Sequence, residues 1–294
     1  MNANDIKQIT VIGAGQMGHQ IGMLCALGGY ETIIQDLSEG ALHDAEAKLQ
    51  TIMSKWVIKG KLAEDAKAAA FNRLRFSRSL KESAAKADLI IEAVTEKLDI
   101  KKEVFRKLEQ HAPPHAIFAT NSSTIVNSLI AGETERPDKV VNMHFFFPPL
   151  VMDCVEVVMS EQTSEETAQM AMEVCEKINR TAVLLKKEIS GFVANRILGA
   201  LQKEAVALYE QGIADYKDID IICRKALNHP IGPFELMDLS GLDVAYYVMD
   251  QRYRETGDPG DKPFDCVAEK VKKGELGRKT GKGWYEYPSN KVRR

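Results

Sequence analysis

An α/β fold with a doubly wound, mainly parallel sheet, an inserted helical hairpin and an all-α C-terminal domain is what this sequence predicts. Three observations carry it. Short apolar runs of strand length alternate with helix-length stretches from residue 6 to residue 159. A Gly-x-Gly-x-x-Gly run, residues 13–18, stands where the first strand gives way to the first helix. After roughly Lys187 the strand patterns stop, and only helical ones remain.

Taken in order, Ile6 to Ile12 suits a short buried strand and His19 to Leu27 an apolar helix, with the glycine run as the turn between them. Gly28-Gly29 stops that helix, and Glu31 to Ile34 reads as the second strand with Asp36 at its end. Residues from Ala41 to about Phe76 are rich in Ala, Lys and Glu, with Lys59-Gly60-Lys61 as a turn, and predict the helical hairpin. Alternation then resumes with Asp88 to Ala93 (strand), Lys101 to Gln110 (helix), and strands at Ile117 to Thr120, Lys139 to His144 and Cys154 to Met159. One parallel sheet is expected to collect these strands. Beyond them, Gly191 to Gln211, Lys217 to Leu227 and further stretches through Lys273 are helical. The expected domains are 1–188 and 189–294, and a chain of 294 residues is long enough for two.

A net charge of −3 with 28% charged residues gives no electrostatic case for a nucleic-acid partner. Five cysteines, an odd number without Cys-x-x-Cys spacing, argue against a disulfide framework or a bound metal and read as reduced thiols. No charged-then-apolar leader opens the chain, and no apolar run approaches the roughly 20 residues a membrane span needs. A cytoplasmic protein without a membrane partner is expected.

A glycine-rich turn alone is weak evidence for a ligand, but its place between strand and helix strengthens it. The first glycine permits a tight turn, the second a close backbone approach to a pyrophosphate, and the third close packing of helix on strand. Gly13, Ala14, Gly15, Gln16, Met17 and Gly18 therefore read as the phosphate loop of a Rossmann-type dinucleotide-binding domain. Asp36, about 20 residues on at the second strand's end, can accept from the adenosine ribose hydroxyls and would repel a 2′-phosphate, which favours NAD over NADP. A second reading makes Asp36 a cap of the following turn.

Among the histidines, His19 and His43 fall in helix patterns, and His111 and His115 flank a Pro-Pro turn. His144 differs. It ends a strand, and a return across Pro148-Pro149 would bring Glu156 of the next strand onto its imidazole. A carboxylate on one ring nitrogen fixes the tautomer and leaves the other nitrogen to take a hydroxyl proton, as a general base does. A satisfied core histidine is the other reading of the same spacing. Thr120-Asn121-Ser122-Ser123-Thr124 at a strand end and Asn195 within an apolar helix are likewise polar groups beside a ligand, or a helix cap and a packed amide.

At this point several runs resemble the L-3-hydroxyacyl-CoA dehydrogenases, in particular bacterial 3-hydroxybutyryl-CoA dehydrogenases. They are residues 11–18, Asn121-Ser122-Ser123, His144-Phe145-Phe146, Met152 with Val155-Glu156-Val157, and Gly191-Phe192-Val193-Ala194-Asn195-Arg196. Residues 228–233, 241–243 and 277–283 extend the likeness almost to the C-terminus. The resemblance implies an NAD-dependent oxidoreductase that interconverts an L-3-hydroxyacyl-CoA and its 3-oxoacyl-CoA. By the same resemblance His144 is the base, Glu156 its orienting partner, and Ser123 and Asn195 donors to the reacting oxygen. Glu96, Lys101, Asn121, Ser123 and Lys279 should meet NAD. Lys55, Lys59 and Ser123 should meet the CoA substrate, and the helical domain should form a homodimer.

Two positions depart from the family's pattern: Phe147 stands where an Asn is usual, and Ser190 where a Pro is common before Gly-Phe. Phenylalanine cannot replace the amide's hydrogen bonds. A dehydrogenase of a free hydroxy acid such as gulonate or carnitine is therefore one alternative, against which Lys55 and Lys59 speak. A non-catalytic, NADH-binding, crystallin-like protein is another, against which the intact His144 and Glu156 speak.

Overall fold

The computed structural model describes residues 5–288 and divides the chain into two compact units, Met1–Phe192 and Val193–Arg294. The first holds an eight-stranded sheet. Its strands are β1 (Gln8–Ile12), β2 (Glu31–Gln35), β3 (Leu74–Ser77), β4 (Leu89–Glu92), β5 (Ile117–Thr120), β6 (Val140–Phe145), β7 (Cys154–Val158) and β8 (Thr181–Leu185). They lie in the order β3-β2-β1-β4-β5-β6-β7-β8. Every pairing is parallel except β6 with β7.

The central strands are continuous apolar runs because both faces are covered. Each residue of β4 (LIIE), β5 (IFAT) and β6 (VVNMHF) is buried. The helices of this unit are α1 (Gly18–Leu27), α2 (Glu39–Ile58), α3 (Glu64–Arg73), α4 (Leu80–Ala84), α5 (Leu98–Glu109), α6 (Ser128–Ala131) and α7 (Glu165–Lys177). Helix α1 is mostly apolar and is buried from Gly18 to Ala26, with His19 and Gln20 as its polar residues. Helix α2 instead buries a single stripe of Leu42, Ala45, Leu49 and Met53. The Ser38 hydroxyl caps its start by accepting from Ala41 N, and Gly60, at φ +65°, ends it.

The structure corrects the sequence reading at two strands and adds elements that the sequence left unread. Leu74–Ser77 is not the tail of the helical hairpin but a parallel strand beside β2, so the insertion is α2 and α3 only. Only Leu74 of these four residues is buried, so β3 lacks the continuous apolar run that marks the equally short β4 and β5. Strand β7 runs antiparallel, because the return through Pro148-Pro149 is too short for the crossover that a parallel neighbour requires. Strand β8 and helices α4, α6 and α7 carry no expectation from the sequence. Residues Thr181–Leu185 form the opposite edge and are largely exposed, which hides them from a pattern search for buried strands.

The second unit is helical, with α8 (Ala194–Glu210), α9 (Tyr216–Lys225), α10 (Pro233–Ser240), α11 (Leu242–Thr256) and α12 (Asp265–Lys272). Its core gathers Val206, Phe234, Met237, Leu242 and Trp284, with the Phe234 and Trp284 rings edge to face at 4.6 Å. Two buried carboxylates tie its irregular parts down. Asp220 accepts from Phe234 N and Glu235 N at the start of α10, and Asp238 accepts from Trp284 N and Tyr285 N.

Candidate active site

The carboxyl ends of β1, β2, β4, β5 and β6 carry the polar groups, where an open α/β sheet binds ligands. Gly13 holds φ +103°, and a Cβ there would lie 2.7 Å from Ala93 O. A Cβ on Gly18 would collide with Gly13 O. Gly15 differs, since nothing lies within 4 Å of where its Cβ would be. Two glycines close the turn and the third opens a space beside the start of α1, the cradle a pyrophosphate needs. Asp36 Oδ2 accepts from Ala14 N at 2.9 Å and Oδ1 from Ser38 N at 2.9 Å, so it braces the loop and, as the second reading has it, caps the turn after β2.

His19 is part of the same loop. Its buried Nδ1 lies within hydrogen-bonding distance of Gly15 O, and burial, reinforced by Lys48, holds the imidazole below its ordinary pKa although that bond opposes it. Through its contact with Gly15 O the ring is a structural brace, as a helical histidine suggests. Gln20 extends the support, with Nε2 donating to Gln16 O and Oε1 accepting from Leu150 N of the loop after β6.

A chain of charges reaches from the core to the loop after β5. Glu92, fully buried, accepts from Lys101 Nζ at 2.9 and 3.0 Å, Thr120 Oγ1 at 2.7 Å and Val94 N at 2.7 Å. Lys101, only 1% exposed, also lies 3.2 Å from Glu96 Oε2. Glu96 Oε1 then accepts from Ser122 Oγ, Ser123 N at 3.1 Å and Thr124 Oγ1 at 3.1 Å. Burial alone would raise the Glu96 carboxyl, but the Lys101 charge and the Ser122 and Thr124 bonds hold it below its ordinary range. Lys101 thus spends its charge on two carboxylates, and Glu96 spreads that order over the loop bearing Ser123. Asn121 joins the loop to β6, its Oδ1 accepting from Phe145 N at 3.0 Å.

His144 stands directly opposite Glu156 in the antiparallel pair. Nδ1 and Oε2 are 2.8 Å apart, with side chains 7% and 5% exposed. The Phe146 and Phe192 rings lie against the imidazole, centroids at 4.5 and 5.6 Å. Phe147, next along, is exposed. Lys55 and Lys59 are both exposed, one turn apart at the C-terminal end of α2. In the second unit, Asn195 sits half-buried in the first turn of α8, and Lys279 Nζ is 2.6 Å from Asp243 Oδ2. Sequence reasoning missed Glu92, Gln20 and Arg180, whose guanidinium holds Pro149 O at 3.0 Å and Leu150 O at 3.2 Å. Only a polar residue inside an apolar strand, as Glu92 is in LIIE, could have flagged one of them.

Residues 8–189 match the family described as "3-hydroxyacyl-CoA dehydrogenase, NAD binding domain", and residues 191–287 match "3-hydroxyacyl-CoA dehydrogenase, C-terminal domain". The probable 3-hydroxybutyryl-CoA dehydrogenase of Bacillus subtilis (strain 168) is 38% identical, the alignment covering 96% of this chain and 98% of that one. The human mitochondrial hydroxyacyl-coenzyme A dehydrogenase is 33% identical over 96% of this chain and 91% of its own. The crystal structure of (S)-3-hydroxybutyryl-CoA dehydrogenase from Ralstonia eutropha superposes with a TM-score of 0.91 at 35% identity, covering 97% of this chain and 100% of that one.

Proposed function

The chain belongs to the NAD-dependent 3-hydroxyacyl-CoA dehydrogenase family, and from that premise we propose that it interconverts a short-chain L-3-hydroxyacyl-CoA, 3-hydroxybutyryl-CoA foremost, and the 3-oxoacyl-CoA, with His144 as the base. The observation that carries this reading is the buried pair of His144 and Glu156 at the end of β6. Glu156 takes up Nδ1 and leaves Nε2 to accept the C3 hydroxyl proton as the alcohol is oxidised, or to return it on reduction. The carboxylate steadies the imidazolium formed on the way. Ser123, whose backbone is held by Glu96, is a donor to the reacting oxygen, a role that the resemblance extends to Asn195.

NAD, when bound, supplies the hydride acceptor. The open space at Gly15 and the carboxylate of Asp36 fit it: residues 13–18 would hold the pyrophosphate and Asp36 the adenosine ribose. Glu96, Asn121, Ser123 and Lys279 are read as further contacts to the dinucleotide. Lys101 supports that reading indirectly, by ordering Glu96. Lys55 and Lys59, exposed on one face of α2, suit the phosphates of coenzyme A.

Two further readings go with this one. Exposed Ile197, Ile221, Ile222, Leu227 and Tyr247 in the second unit support a homodimer, which light scattering would test as twice the chain mass. Free thiols at all five cysteines support the reducing cytoplasm. No helix among the described residues is long and apolar enough to cross a membrane.

The test is NADH oxidation with acetoacetyl-CoA, beside NADPH and a His144→Ala control. Turnover with NADH that the substitution lowers by at least about 10²-fold is expected, since a positioned general base contributes that much or more. Tight NADH binding without turnover would overturn the substrate assignment, and an active His144→Ala enzyme would overturn the base.

A further inference from the structure

We infer that Phe192 is a positioning residue for His144, setting the plane of the imidazole so that Nε2 faces the substrate oxygen. The inference rests on the reading of His144 as the base. On one face of β6, β7 and β8 the register makes two neighbouring rows: Asn142, Val158 and Leu185 in the first, and His144, Glu156 and Val183 in the second. The Phe192 side chain is fully buried on the first row, packed with Val158 and Leu185 and backed by Val126. From there its ring reaches the His144 ring, 5.6 Å away centroid to centroid and tilted by 51°.

The backbone at this residue is unusual. Phe192 has φ +47° and follows Gly191 at φ +79°, with Phe192 N donating to Ile189 O at 3.0 Å. A residue with a Cβ is disfavoured there and persists only where its surroundings over-determine it. A glycine would adopt this turn without steric strain. What the phenylalanine adds is the ring, which packs on two strand ends and Val126 and reaches the imidazole.

The hydrogen bond to Glu156 restrains one edge of the imidazole, and a single bond leaves the ring able to rock about it. The Phe192 and Phe146 rings close on the imidazole and limit that motion. Proton transfer is steep in geometry, so restricting the ring raises the rate without adding a contact to substrate or cofactor.

The test compares Phe192→Leu, Phe192→Ala and Phe192→Gly with wild type and His144→Ala, measuring kcat, KM for acetoacetyl-CoA, NADH affinity and thermal melting. Because misplacing a reacting group by about 1 Å costs about 10²-fold, the Ala variant is expected to lose about 50-fold in kcat and the bulkier Leu variant about fivefold, with KM and NADH affinity within about twofold. Phe192→Gly should melt no lower than Phe192→Ala, being free of the left-handed penalty, yet stay as slow. The proton NMR signal of His144 Nδ1–H, assigned by its loss in His144→Ala, should broaden or move in the Leu and Ala variants. Wild-type kcat in a folded Leu or Ala variant would overturn the inference, as would kcat, KM and NADH affinity worsening together with the melting temperature. Should Ala not fold, the Leu variant decides. An active His144→Ala enzyme would instead remove the base reading itself, so the two failures are told apart.

Discussion

Replacing Glu156 by Gln isolates what its charge does for His144. The two groups are 2.8 Å apart, with side chains 5% and 7% exposed, so solvent screens them little. With charge centres about 4 Å apart and an effective dielectric near 20, carboxylate and imidazolium attract by about 4 kcal/mol. Glutamine keeps the shape and can still accept from Nδ1–H through its carbonyl, so the neutral imidazole loses little. The imidazolium that forms as the proton moves loses most of the attraction, which raises the barrier by about 3 to 4 kcal/mol, or 10²- to 10³-fold in kcat. NADH affinity should stay within about twofold, because the Gly15 loop and Asp36 are untouched. Steady-state NADH oxidation with acetoacetyl-CoA, with NADH fluorescence for binding, measures both. A Glu156→Gln enzyme within about fivefold of wild type, while His144→Ala is inactive, would refute the claim that this carboxylate supports the base.

Gly15→Ala and Gly18→Ala separate two uses of the same loop. The added methyl at Gly15 enters open space and at Gly18 strikes Gly13 O, so the first should leave the melting temperature unchanged but weaken NADH binding at least about tenfold, and the second should lower the melting temperature. Equal effects on melting would contradict the cradle. Acidification tests Glu96: its folded-state pKa is lowered, so its contribution to stability is full above the unfolded carboxyl value and is lost as pH falls through the folded one. Denaturant midpoints from neutral pH down through the carboxylate range should therefore fall more steeply for wild type than for Glu96→Gln, and parallel curves would sink the assignment.

The alternation of strands and helices, the glycine turn at residues 13–18 and the carboxylate Asp36 are legible along the chain, because each is a signal carried within a few residues by backbone sterics and apolar period. So is the pairing of His144 with Glu156, once a short return through Pro148-Pro149 is supposed. The edge strands β3 and β8 were not legible: each buries a single residue, and only their hydrogen-bonded neighbours identify them. Nor could spacing reveal that Lys101 is buried between Glu92 and Glu96, or that Phe192 folds back from beyond β8 onto the face that carries His144. What the sequence determined by itself is what neighbouring residues decide. Burial, register across a sheet and the partner of a buried charge are decided by groups far apart along the chain, and only the tertiary structure brings them together.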